Sequence, residues 1–193
     1  LLGVTATLNS AAACAQPAPA TRWWHGNVDE LASATTTDTV EAAATSWTLA
    51  TLADGGGDAL AVWRRTPVDA GETVWHGDDY AAPSATALVS PELQAGDAGL
   101  VISFRHRYRF EQSQGSNWDG ALLELQADGG SWQTVTLPSY GGAIDTQANN
   151  PLGGRTALVG VSPGWPAFTT ETVTLGAEYA GRGVRGRFVL GSD

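Results

Sequence analysis

The 193-residue chain contains no lysine, no methionine and a single cysteine, Cys14. One cysteine closes no internal disulfide and has no companion for a Cys-based zinc site, which excludes a disulfide scaffold. Without lysine, all formal positive charge is guanidinium, which favours planar, bidentate pairing over a diffuse basic patch. Basic residues number 10 against 20 acidic ones, for a net charge of -10. That balance argues against sequence-independent binding to nucleic-acid phosphates and favours cations or neutral ligands. No apolar run approaches the roughly 18 residues of a membrane-spanning helix, so no membrane insertion is expected. The chain opens on Leu1 without a signal pattern and is expected to be a piece of a longer product.

Glycine, proline and tryptophan are plentiful instead, at 24, 9 and 8 residues. Residues 1–20 alternate briefly and then run into Ala11 to Ala13, Pro17 and Pro19, which reads as the end of an upstream segment plus a linker. From 21 to 193 short runs rich in Val, Leu, Thr and Trp are punctuated by Gly and Pro, and no stretch holds a helical period. Over residues 100–111, Phe104, His106, Tyr108 and Phe110 alternate with Arg105, Arg107 and Arg109, placing aromatics on one face and guanidiniums on the other. Leu123 and Leu125 alternate with Glu124 and Gln126, and Asp128-Gly129-Gly130 supplies the turn of a hairpin returning through 132–137. Val184, Phe188 and Leu190 share a register opposite Arg185 and Arg187, and Val173 with Leu175 marks another strand. Weaker strands are expected at 39–48, 60–64 and 86–89. The pattern predicts an all-β fold, a two-sheet antiparallel β-sandwich of jelly-roll type.

Trp-His-Gly occurs twice, as Trp24-His25-Gly26 and Trp75-His76-Gly77, and His106 makes a third imidazole. None has the short helical spacing that sets two ligands on one zinc. No Gly-x-Ser-x-Gly elbow is present, and Gly55-Gly56-Gly57 lacks the context of a phosphate loop. The acidic residues point elsewhere. Asp78 and Asp79 precede a strand, Glu111 ends the Arg-rich one, Asp119 precedes the next and Asp193 follows the last. A sandwich can gather such loops at one end, and calcium takes six to eight oxygens, several of them carboxylates. Flat tryptophan rings also stack on sugars, with Trp118 and Trp165 the best exposed candidates. Arg105, Arg107, Arg109, Arg185 and Arg187 can take an anionic ligand or an acidic partner domain, or pair across strands with carboxylates such as Glu124.

Residues 101–142 carry Phe104-Arg105-His106-Arg107-Tyr108-Arg109-Phe110-Glu111, then Trp118-Asp119-Gly120-Ala121-Leu122-Leu123-Glu124, then Asp128-Gly129-Gly130-Ser131-Trp132 and Tyr140-Gly141-Gly142. Asn150-Pro151-Leu152-Gly153-Gly154-Arg155 and Arg187-Phe188 continue the order toward Asp193. In sequence these resemble a non-catalytic jelly-roll domain found downstream of the protease domain in secreted bacterial fungalysin-type metalloproteases. They are similar also to the β domain of immune inhibitor A and, more remotely, to MAM domains. The resemblance implies an extracellular accessory module that positions a parent enzyme or engages a protein or polysaccharide surface. It implies a structural calcium, with Glu111, Asp119 and Asp193 at the matching positions and Asp78 and Asp79 as looser additions. No His-Glu-x-x-His motif occurs, so the protease chemistry does not carry over. Members usually continue into a Gly-Trp segment and a closing strand, whereas this chain stops at Gly191-Ser192-Asp193, so an open sheet edge is expected. The alternatives to an accessory domain are a carbohydrate-binding module and a jelly-roll glycosidase or lyase.

Overall fold

The computed structural model describes residues 37–68 and 71–193. The expected linker at 1–20 and the motif Trp24-His25-Gly26 lie outside the described residues. In chain order the strands are β1 (Thr48–Asp54), β2 (Trp63–Pro67), β3 (Thr73–Gly77), β4 (Ser84–Val89), β5 (Leu93–Gln94), β6 (Leu100–His106) and β7 (Gln112–Ser113). They continue with β8 (Ser116–Asn117), β9 (Gly120–Ala127), β10 (Gln133–Val135), β11 (Gly142–Ala143), β12 (Thr156–Ala157), β13 (Thr169–Leu175) and β14 (Gly183–Ser192). Apart from short 3₁₀ turns, the described residues contain no helix, and the strands pair antiparallel, giving an all-β sandwich.

The main layer has the order β1-β4-β14-β9-β10, with β5 added against the start of β14. The second layer comprises the β6–β13 and β2–β3 pairs. Period-two alternation decides what lies between them. Leu123, Leu125, Val184 and Phe188 of the main sheet face Ile102, Phe104 and Val173 of the β6–β13 pair. The Phe104 ring meets Phe188 edge-on at 5.0 Å, and the Trp63 indole of β2 donates to the Thr86 hydroxyl at 2.8 Å. The other face of the main sheet is covered by residues 140–159, whose Ile144, Leu152, Ala157 and Val159 pack on Leu122, Ala87 and Val189. Each fully buried Leu, Ile or Val side chain contributes roughly 1.5–3 kcal/mol, so both faces help to stabilise the fold.

The aromatic face of residues 104–110 is realised as a ladder, with His106–Tyr108 and Tyr108–Phe110 stacked at 5.6 and 5.4 Å. The hairpin at Asp128 and Gly129 forms with φ of 49° and 70°, and β10 returns antiparallel to β9. Two sequence expectations are corrected. Residues 39–47 are not a strand; extended structure begins at Thr48, beyond the Glu41-Ala-Ala-Ala run that offers no alternation. Residues 59–62 form a 3₁₀ turn that buries Ala59 and Val62, so the strand expected at 60–64 starts at Trp63. The last strand is central: β14 is hydrogen-bonded to β4 on one side and β9 on the other, and the main sheet ends at β1 and β10.

Among the buried polar groups, Glu124 is 4% exposed and held from two sides. Arg187 Nε donates to its Oε2 at 2.6 Å, and Arg155 pairs with its Oε1. The Arg187 guanidinium also lies 4.2 Å from the Trp132 ring centroid. The expected Arg–Glu124 pairing across strands is thus made by Arg187, with Arg155 from the covering loop as its second partner. Arg105, by contrast, pairs with Glu72 at 3.1 Å.

Candidate metal centre

Glu111 and Asp119 flank the β7–β8 hairpin. Gln112 pairs with Asn117 and Ser113 with Ser116, and the Trp118 amide donates to the Glu111 carbonyl at 3.2 Å. The two acids therefore stand at the open end of one short ladder. Its turn carries Gln114 and Gly115 at φ of 50° and 86°, the left-handed pair that a two-residue hairpin turn requires. Glycine adopts that conformation freely, which is the local reason the chain reverses here.

Asp193 arrives by sheet register. Gly191 pairs with Gly120 across β14 and β9, so the residues that follow Gly191 run alongside Asp119. The Asp193 amide donates to Asp119 Oδ1 at 3.1 Å. Both glycines are required by the covering loop. A Cβ at Gly120 would stand 2.8 Å from the Leu158 carbonyl oxygen, and one at Gly191 would stand 2.6 Å from Leu152 Cδ1. Asn150, 5% exposed, fastens that loop by donating to the Trp118 carbonyl at 2.9 Å.

One ligand oxygen each from Glu111, Asp119 and Asp193 lies within 4.8 Å of the other two. Glu111 and Asp119 border a cavity of about 140 Å³ whose lining also includes Asp78, Asp79, Arg109 and Ser192, the residue before Asp193. Asp119 is 5% exposed, while Glu111 and Asp193 are exposed. Burial first, then the carboxylates of Asp79, Asp193 and Glu111, push the Asp119 carboxyl up to about 6 against the one backbone donor that opposes them. Among the described residues no side chain donates to Asp119. A buried carboxylate supported by one amide and faced by three acids is under-compensated, with the Arg109 guanidinium in the cavity lining; the three converging carboxylates are a donor set able to hold a divalent cation. The all-oxygen donor set suits calcium rather than zinc.

All five acids expected at a metal site reach this end of the sandwich, but they are not equivalent. Asp78 is committed elsewhere: it forms an ion pair with Arg64 and accepts from His76 Nε2 at 2.6 Å, and the Arg64 guanidinium holds its carboxyl below the usual range. Asp79 accepts from the Ser192 hydroxyl at 2.8 Å and lines the same cavity. Sequence reasoning missed Ser192; its place immediately before Asp193 is the only signal that could have found it. Trp118 was expected to be exposed but is half-buried, its indole donating to Ser113 Oγ at 2.7 Å, so it anchors the hairpin. Trp165 is 42% exposed. Arg107 lies beside it and Arg105 over Phe168, while Arg109 borders the acidic cavity. No protein-family model, curated protein or solved structure matches the chain.

Proposed function

We propose that this chain is a calcium-stabilised, non-catalytic accessory domain of jelly-roll type, belonging to a secreted multidomain protein whose parent activity is that of a metalloprotease. One observation carries the calcium reading: carboxylates from the two ends of the β7–β8 hairpin and from Asp193, distant in sequence, converge on one edge of the sandwich, with Asp119 buried among them. Glu111, Asp119 and Asp193 would hold the ion, and Asp79 lines the adjoining cavity. Bound calcium would join the β7–β8 hairpin to the end of β14, turning repulsion between them into attraction. Two exposed ligands of three suit an affinity in the range of extracellular modules, roughly 10⁻⁴–10⁻³ M. The accessory role rests on the ordered motifs from Phe104 to Asp193 and their resemblance to the domains that follow secreted protease domains.

Equilibrium dialysis against radioactive calcium tests the site. One ion per chain is expected at millimolar calcium, and Asp119→Asn and Glu111→Gln should each abolish its binding. Absence of any bound ion at 10-fold above the range just given, roughly 10 mM, would remove the metal from the reading.

A further inference from the structure

A second feature lies on the outer surface of the β6–β13 pair, away from the acidic cavity. Trp165 sits in a loop pinned at both ends. Its amide donates to the Ser162 carbonyl at 3.1 Å, and the Ala167 amide donates to Gly164 at 3.0 Å. Ser162 is itself buried, exchanging backbone and side-chain hydrogen bonds with Tyr108 at 2.9 and 3.2 Å. The indole thus projects from a fixed base and remains 42% exposed.

Arg107 lies beside it. Its guanidinium carbon is 5.8 Å from the Trp165 ring centroid and 4.4 Å from that of Phe168, and Nη1 donates to the Pro166 carbonyl at 2.9 Å. These contacts hold the fork in place and leave most of its five N–H donors unused. Its charge is also unanswered. Arg64, Arg105, Arg155, Arg182, Arg185 and Arg187 each face a carboxylate, whereas Arg107 has none among the described residues. Arg65 and Arg109 also lack a carboxylate pair among the described residues, but Arg65 is committed to the backbone carbonyls of Val40, Ala42 and Ala43 and Arg109 borders the acidic cavity, so Arg107 is the one that stands beside an exposed indole. The neighbouring surface is hydroxyl-rich: Ser103, Thr170 and Thr172 point outward, with Ser103 Oγ and Thr172 Oγ1 3.0 Å apart.

We propose that Trp165 and Arg107, with Phe168 beneath the guanidinium, form a binding subsite for an oligosaccharide bearing a uronate. A pyranose ring stacks on the exposed indole, and the sugar carboxylate takes the free edge of the Arg107 fork in a bidentate pair. Hydroxyls of adjoining sugars meet the Ser and Thr surface. A flat ring, a planar cation and flanking hydroxyls match a sugar acid better than a protein surface, which would need a broad apolar centre. The net charge of -10 further selects a sparsely charged glycan, because a dense polyanion would be repelled by the rest of the molecule. Since both side chains are already held, little rotamer freedom is lost on binding.

The test is calorimetric titration of the whole chain with xylotriose carrying one methylglucuronate, and with plain xylotriose. The acidic oligosaccharide should bind roughly tenfold or more tightly than the neutral one. Arg107→Gln should bring it down to the neutral level. Trp165→Ala should weaken both by roughly three- to tenfold, and Trp165→Phe by less. Unchanged melting curves would show that the variants fold. Equal affinity for the two sugars, no heat at millimolar acidic sugar, no effect of Arg107→Gln, or equal competition by a short poly-glutamate peptide would each overturn the assignment. Arg107→Gln and Trp165→Ala leave Asp119 and the calcium response untouched, so this subsite and the metal centre fail independently.

Discussion

Ionising Asp119 in the metal-free protein carries a cost that can be worked from its surroundings. Its carboxyl is pushed from 3.8 up to about 6, a rise of about two units, by burial and by Asp79, Asp193 and Glu111. At about 1.4 kcal/mol per unit the ceiling is roughly 3 kcal/mol. Water reaching the exposed Glu111 and Asp193 screens part of this, leaving about 1–2 kcal/mol. The sign follows from proton uptake. A folded-state pKa above the unfolded one means that the native chain binds more protons between about pH 4 and 6. Stability of the calcium-free protein should therefore fall as pH rises through that window, with the penalty absent below pH 4 and complete above pH 6. His106 works the other way, because burial depresses its pKa and its contribution is lost as pH falls below its usual value of 6.5. Urea unfolding of wild type and Asp119→Asn, compared at each pH in chelator, cancels the His106 effect. Asparagine keeps an acceptor for the Asp193 amide and removes the charge, so the variant should be the more stable by about 1–2 kcal/mol at pH 7 and equal to wild type at pH 4. Calcium at 100 times its dissociation constant should add about 2.7 kcal/mol to wild type alone, raising its melting temperature by about 5–10 °C. A difference that does not vary with pH, together with wild-type melts identical in calcium and chelator, would refute the reasoning.

Two further outcomes test the packing that positions the site. Replacing Glu124 with Ala leaves the guanidiniums of Arg155 and Arg187 without their carboxylate in a buried setting, and chemical denaturation should register a loss of about 3–5 kcal/mol. The double variant with Arg187→Leu should recover part of that loss, since the uncompensated charge then goes too. Gly191→Ala would put a methyl 2.5 Å from Asn150 Oδ1 and 2.6 Å from Leu152 Cδ1, so thermal melting should report a cost of about 1–3 kcal/mol. The same variant should weaken calcium binding, because the displaced loop bears on the strand that delivers Asp193; an unaltered calcium affinity with the stability loss intact would separate the loop from the metal centre.

Strand character, the aromatic face at 104–110, the Asp128-Gly129 hairpin and the register of Phe188 against Arg187 were all legible in the linear order. Each rests on period-two alternation or on a turn that needs positive φ, and both are properties of residues a few positions apart. Even there the limit was local context: the strand expected at 39–48 fails because apolar composition without alternation does not define a face. The candidate centre was legible only as five acids near strand ends. Which of them meet was decided by the pairing of Gly191 with Gly120, by the β7–β8 ladder, and by Arg64 drawing Asp78 away. The first spans a long stretch of chain and is set when strands choose a register and a covering loop closes over glycines that leave it room; the other two are nearer in sequence but depend on how side chains and strands pair once folded. The same distinction separates the tryptophans. Trp118 and Trp165 have similarly polar neighbours in sequence, and only folding gave one a hydroxyl partner under a hairpin and left the other facing water beside an unpaired guanidinium.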